Sequence, residues 1–338
     1  MRKSFPLVLA AVLILVSSPE TLGSPNLSKV VIAHASMNTR TVFLWIAREQ
    51  GFFAKYGVEA ELILMSRGPV LIAALMAGDV QLGNAGGTAA LGAAVGGADV
   101  KIIATFNSRF VNNLIARPEI KTPKDLQGKR YGVSSLGGTL WMGATLWLEH
   151  LGLDPRKNDI RFVVIGDQTL LVQALERGII DVTALDSGGS RRMRQKGFSV
   201  LSDSSRVNLP ILSQGIVVNR AWYRKYTQAA EDVMKGLIEG LAFTTAPQNK
   251  RVVIQTIMRH LRIQDPAVAE EGYQDIHVGL DRKPYPSLEG LKNIQRLAKI
   301  RDPRLADVKV ENLIDDSLIR TLDESGFIDR TYSLYGMK

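Results

Sequence analysis

Short apolar runs alternate with helically spaced stretches along most of this chain. Residues 30–35 form an apolar run that predicts a buried strand. Residues 41–56 place Phe43, Ile46, Ala47 and Phe53 at helical spacing, and Gly57 stops that helix. Residues 59–65 alternate as a strand does. A helix over 70–77 ending at Gly78, a strand over 80–82, a helix over 88–95 and a strand over 101–106 follow. This βαβαβ order predicts a largely parallel sheet with helices on its faces.

The order then repeats. Strands are predicted over 129–133, 161–165 and 181–185, with helices over 139–151 and 169–177 between them. Leu71, Ala74, Leu75 and Gly78 recur as Leu171, Ala174, Leu175 and Gly178, always 100 positions on, which argues for two similar lobes. A second echo, residues 86–93 against 137–144, falls at different points of the two patterns and reads as one local turn used twice. A strand over 214–218 follows, and from Ala221 the text is almost wholly helical, punctuated by Pro247, Pro266, Pro284 and Pro286. The expected division is lobe one at 29–116 and 213–338, and lobe two at 117–212. Two strands would cross between them, and the C-terminal helices would pack mainly on lobe one.

The N-terminus changes the expected location. Arg2 and Lys3 precede an apolar run at 7–16, and small and polar residues follow to Ser24. The run is too short to cross a bilayer but suits a secretory signal, expected over 1–23. The chain has no cysteine, which removes disulfides, thiolate metal sites and cysteine nucleophiles. The formal charge is +9, lowered by one if Arg2, Lys3 and Glu20 leave with a leader. The densest basic cluster, Arg191, Arg192, Arg194 and Lys196, lacks interleaved aromatics and reads as a solvated helix face, not a nucleic-acid surface.

Candidate chemistry concentrates where predicted strands end. Ser135, Gly138 and Thr139 lie in a glycine-rich turn that opens a helix. The turn lacks G-x-G-x-x-G and G-K-[ST], so it is no nucleotide fingerprint. Unpaired N–H groups at such a helix start still attract an anion. Similar text follows other strands, at Asn38 and Thr39, at Gly86, Gly87 and Thr88, at Gly166 to Gln168, and at Asp186 and Ser187. Ligands of parallel α/β sheets sit outside the carboxyl ends of strands, so this set predicts a cleft between lobes. Each residue alone could be only a cap. Arg67 and Arg109 are candidates for pairing an anion, and Phe106, Phe110, Trp141 and Trp222 for walling a ligand. His34, His150, His260 and His277 fall in no recognised catalytic spacing, and no G-x-S-x-G elbow is present.

Three segments carry a resemblance. Residues 45–60 contain AREQGFFAKYGV, residues 73–81 read AALMAGDVQ, and residues 124–133 read KDLQGKRYGV. Together they resemble the periplasmic substrate-binding proteins of nitrate, sulfonate and taurine ABC importers, a family that includes binders of thiamine-pyrimidine precursors. The resemblance runs from about Val30 to Trp222. It implies a type II, two-lobed α/β "venus flytrap" with hinge-crossing strands that closes on a small molecule for an inner-membrane permease. It also implies a monomer without cofactor or metal. The family's pocket positions fall on Asn38 and Thr39, on Gly86, Gly87 and Thr88, and on Ser135, Gly138 and Thr139. Alternatives are a pyrimidine-synthase-like enzyme, disfavoured by the missing cysteine-rich motif, and a sensor docking a membrane receptor.

Overall fold

A computed structural model describes residues 28–65 and 67–337. The expected leader, 1–23, lies outside the described residues. The chain runs β1 (Ser28–His34), α1 (Val42–Glu49), α2 (Phe52–Lys55), β2 (Val58–Leu64), α3 (Gly68–Ala77), β3 (Leu82–Ala85), α4 (Gly87–Val95) and β4 (Val100–Arg109). It continues with β5 (Asn113–Ala116), β6 (Arg130–Val133), α5 (Thr139–His150), β7 (Arg161–Val164), α6 (Gln168–Glu176), β8 (Val182–Leu185), α7 (Ser187–Gln195) and β9 (Ser199–Ser202). After β10 (Pro210–Asn219) come α8 (Arg220–Lys225), α9 (Thr227–Thr245), α10 (Lys250–Leu261), α11 (Pro266–Gly279), α12 (Leu288–Ala298), α13 (Ser317–Glu324) and α14 (Phe327–Leu334).

These strands form two five-stranded sheets, ordered β2-β1-β3-β10-β4 and β7-β6-β8-β5-β9. In each, three parallel strands adjoin one antiparallel strand, β10 or β5, that has just crossed from the other lobe. The sequence echo is the structural repeat. Elements α3, β3 and α4 begin at Gly68, Leu82 and Gly87, and α6, β8 and α7 begin at Gln168, Val182 and Ser187, each 100 positions later. Leu71, Leu75, Leu171 and Leu175 are all buried. Gly78 and Gly178 end the paired helices in the left-handed region, at φ 88° and 67°, where a side chain would be strained.

The lobe limits differ from expectation. Residues 113–116 pair with β8 and β9, so the first crossing is 110–112 and not Ala116. Residues 210–212 already belong to β10, so the return falls at 203–209. Both shifts have one cause: short, fully apolar strands such as Leu114-Ile115-Ala116 look the same in either sheet. The helix expected over 41–56 is also broken, because Gly51 adopts φ 73° between α1 and α2. The third strand is Leu82–Ala85, where a strand over 80–82 was expected.

One core covers a face of the first sheet and holds α1, α9, α10, α11, α13 and α14. A second runs from α3, α4 and α12 through Phe110 and Leu212 to Tyr131 and Trp147 in the other lobe. Close packing of α9 on α1 depends on Gly240, where a Cβ would stand 2.6 Å from the Phe43 carbonyl oxygen and 2.8 Å from the Ala47 Cβ. Backbone on one side leaves little room to yield. Gly240→Ala is expected to destabilise the fold by about 1–3 kcal/mol in chemical denaturation.

Candidate functional site

A polar cavity of about 260 Å³ opens between the lobes at the crossing strands. Lobe one supplies Ser36, Asn38 and Arg40 from the loop after β1, and Ser213 and Gln214 from β10. Lobe two supplies Thr139 and Leu140 from the start of α5, and Gln168 from the start of α6. Phe110, Val111 and Asn112, the crossing segment, form the back wall.

The loop is held together by hydrogen bonds among its own polar groups. Asn38 Oδ1 accepts from the Arg40 N–H at 3.0 Å, which begins the helical turn leading into α1. Gln214 Nε2 donates to Ser36 Oγ and Thr41 Oγ1, both at 3.0 Å. His34 Nδ1 lies 2.9 Å from the Ser36 carbonyl oxygen and donates to it, while burial holds its pKa below the usual value. With its N–H groups so used, the Gln214 carbonyl oxygen Oε1 is buried without a protein partner among the described residues. Gln168 Oε1 is in the same condition. Arg40 is half-buried, and among the described residues no carboxylate lies within ion-pair distance of its guanidinium. The cavity therefore presents the Arg40 guanidinium, the α5 start and two buried acceptors.

Arg40 is seated by α11. A Cβ at Gly279 would stand 2.8 Å from Arg40 Cδ, and one at Gly272 would stand 2.4 Å from Thr39 Cγ2. These two glycines, seven apart on one helix face, let the loop lie against α11. Between them Asp275 points across to lobe two, where the Ser187 N–H donates to its Oδ1 at 3.3 Å. Burial raises the Asp275 pKa to about 6, helped by the Asp186 charge and opposed by Ser187 and Arg40. A second cavity, of about 310 Å³, lies on this side. It shares Asn38 and Gln168 with the first and adds Thr39, Asp186, Arg192, Glu271 and Asp275.

The structure distributes the sequence candidates unevenly. Asn38 and Thr139 line the first cavity; Asn38, Thr39 and Asp186 line the second. Ser187 contributes its N–H to Asp275. Ser135 is exposed on the turn before α5, and Gly138 is the N-cap, with no room for a Cβ beside Ser135 Oγ. Gly86, Gly87 and Thr88 line neither cavity. Gly87 is buried, and a Cβ there would meet Leu212, Leu291 and Ile294, so it serves the packing of α12. Arg109 also lines neither cavity, and its charge acts on the half-buried Asp281. Arg67 is exposed. Of the proposed aromatic wall, Phe110 lines the cleft, Phe106 lies in the lobe-one core, and Trp141 lines a groove on the outside of lobe two. The basic cluster is a mostly solvated face, with Arg192, Arg194 and Lys196 exposed; Arg192 also borders the second cavity, and Arg191 lies 3.7 Å from Glu271.

Sequence reasoning missed Arg40, Gln214 and all of α11. Arg40 stands directly after the Ser36–Thr39 loop, and Gln214 is a long polar side chain inside an otherwise apolar strand. Both were available signals. The Gly272–Asp275–Gly279 spacing marks one helix face, but nothing in it says that the helix reaches the cleft.

Two α/β lobes with matching strand order, joined by paired crossings and enclosing a polar cavity, define the periplasmic binding protein fold. The chain belongs to the family described as NMT1/THI5 like, whose pattern matches residues 38–250. Its structure is similar to that of the periplasmic aliphatic sulphonate-binding protein SsuA of Escherichia coli, with a TM-score of 0.68 at 18% identity, over 87% of this chain and 99% of that one. It is likewise similar to the periplasmic nitrate-binding protein NrtA of Synechocystis PCC 6803, with a TM-score of 0.64 at 15% identity, over 89% of this chain and 90% of the other. In sequence, 140 residues are 33% identical to a protein of Brucella abortus described as a binding protein, covering 41% of this chain and 42% of that relative.

Proposed function

We propose that this chain captures a small organic anion between its lobes in the periplasm and delivers it to a membrane permease. The observation that carries the reading is Arg40, a cation without an ion-pair partner among the described residues, facing the start of α5 inside the interlobe cavity. The Gln214 and Gln168 carbonyl oxygens favour an anion that also bears an N–H or O–H group. Support comes from the shared fold of proteins whose stated ligands, aliphatic sulphonate and nitrate, are anions. Asn38, Thr39, Thr139 and Asp186 belong to this ligand site in our reading, with Arg40, Gln168 and Gln214 added. Neither cavity is lined by a histidine, which leaves the pyrimidine-synthase alternative without a general base of that type.

A thermal-shift panel of sulfonates, carboxylates, nitrate and pyrimidines on the protein without its leader tests this. At a hundred times its dissociation constant, a true ligand stabilises by about 2.7 kcal/mol, a shift of several degrees. A panel that shifts nothing, or only with neutral pyrimidines, contradicts the reading.

A further inference from the structure

The C-terminal helices bridge the lobes. Arg296 on α12 forms a two-pronged pair with Glu149 on α5, at 2.7 Å for both contacts. On the cleft side α11 meets the start of α7. Asp275, only 7% exposed, accepts from Ser187, and Asp186 is the next residue. Helix α11 is itself fixed to lobe one, through the Gly272 and Gly279 notches that receive Thr39 and Arg40. The Asp275 carboxyl is therefore a lobe-one group whose hydrogen bond to lobe two requires the lobes to be together.

We propose that closing the lobes takes up a proton at Asp275, so that the proton and the ligand favour the same closed form. This rests on the reading that the lobes open and close around a ligand.

The surroundings of Asp275 give the sign. From α7 it faces the Asp186 carboxylate and the Ser187 donor, with Arg192 in the shared cavity; from the loop after β1 it faces Arg40. On its own helix Glu271 is engaged by Arg191, and on α10 Lys250 is held by Glu270. Burial dominates, so the carboxyl is raised to about 6 with the lobes in contact as here. Opening returns water to it, and its pKa falls toward the ordinary value of about 4. The closed form thus binds the proton more tightly. Its advantage is present at low pH and is lost as pH rises through about 6, which makes closure about tenfold more favourable at pH 5 than at pH 7.

The experiment has two arms. First, the affinity of the best sulfonate from the panel, whose own charge is constant in this range, is measured from pH 7 to pH 5. Wild type is expected to bind about tenfold tighter at pH 5, and Asp275→Asn is expected to lose that dependence. A flat wild-type profile, or an undiminished rise in Asp275→Asn, overturns the proposal. The second arm needs no ligand. A Cβ at Gly188 would lie 3.7 Å from the Glu271 Cβ, within disulfide reach, and the chain has no cysteine to interfere. Gly188→Cys with Glu271→Cys, oxidised, locks the lobes as seen here. The Asp275 carboxyl resonance is expected to titrate near 6 when locked and closer to the ordinary value when reduced. Identical titrations in both states overturn the proposal. If no anion on the panel binds, the ligand reading fails while this arm still decides the proton coupling.

Discussion

Arg40→Ala is expected to weaken the best-bound anion at least about 30-fold, with little change in the melting temperature of the ligand-free protein. The size follows from losing one partner of a desolvated charged contact, about 2 kcal/mol or more. The small stability effect follows because, among the described residues, the guanidinium forms no close ion pair, and its charge acts on Asp275 only at longer range than one. Arg40→Lys separates charge from geometry. A lysine keeps the positive charge but not the planar fork, so it should restore part of the affinity and not all of it. Titration calorimetry on the three proteins reads both effects. Equal affinities in wild type and Arg40→Ala would remove Arg40 from the site.

Gly143→Ala should damage binding and stability together. Gly143 lies in α5, and a Cβ there would stand 2.3 Å from Phe110 Cε2 and Cζ. Phe110 is buried and forms part of the cavity wall. The backbone around it is fixed where the chain crosses between lobes: the Phe110 N–H donates to the Leu209 carbonyl at 2.8 Å, and Trp147 Nε1 donates to the Asn112 carbonyl at 2.9 Å. An added methyl must push the ring toward the cavity or force α5 away from the crossing. Overpacking of this kind costs about 1–3 kcal/mol. Gly92→Ala is the control, because Gly92 is a helical, exposed glycine with nothing within 4 Å of its Cβ position. It should stabilise by about 0.5–1 kcal/mol and leave affinity unchanged. If Gly143→Ala melts and binds like wild type, Phe110 does not set the cavity wall.

The lobe pattern was legible because burial imposes a period on the chain. Leu71 and Leu75 pack as Leu171 and Leu175 do, and the glycines that end both helices need the same left-handed backbone. Strand ownership was less legible. Leu114, Ile115 and Ala116 are buried on both faces, so nothing in their side chains records which sheet they join. The cleft was visible as small and polar residues at strand ends, and Asn38, Thr39, Thr139 and Asp186 do line its cavities. Gly86 and Gly87 show the limit of that signal. A glycine permits close approach, but the approaching group at Gly87 is α12, more than 200 residues later in the chain. Arg40 was hidden differently. Local text cannot tell an arginine aimed into a cleft from one aimed into water. What aims it is Gly279, whose position beside Arg40 exists only after α11 has folded back across lobe one.

An anion held between the lobes by Arg40 and the start of α5 should be visible in a crystal structure with the panel's best ligand. The anionic group is expected within hydrogen-bond distance of the Arg40 guanidinium and the first N–H groups of α5, enclosed by Phe110 and Gln214. A ligand found instead in the groove formed by Trp45, Glu49 and His260 on lobe one, or in the one beside Trp141 on lobe two, would contradict it.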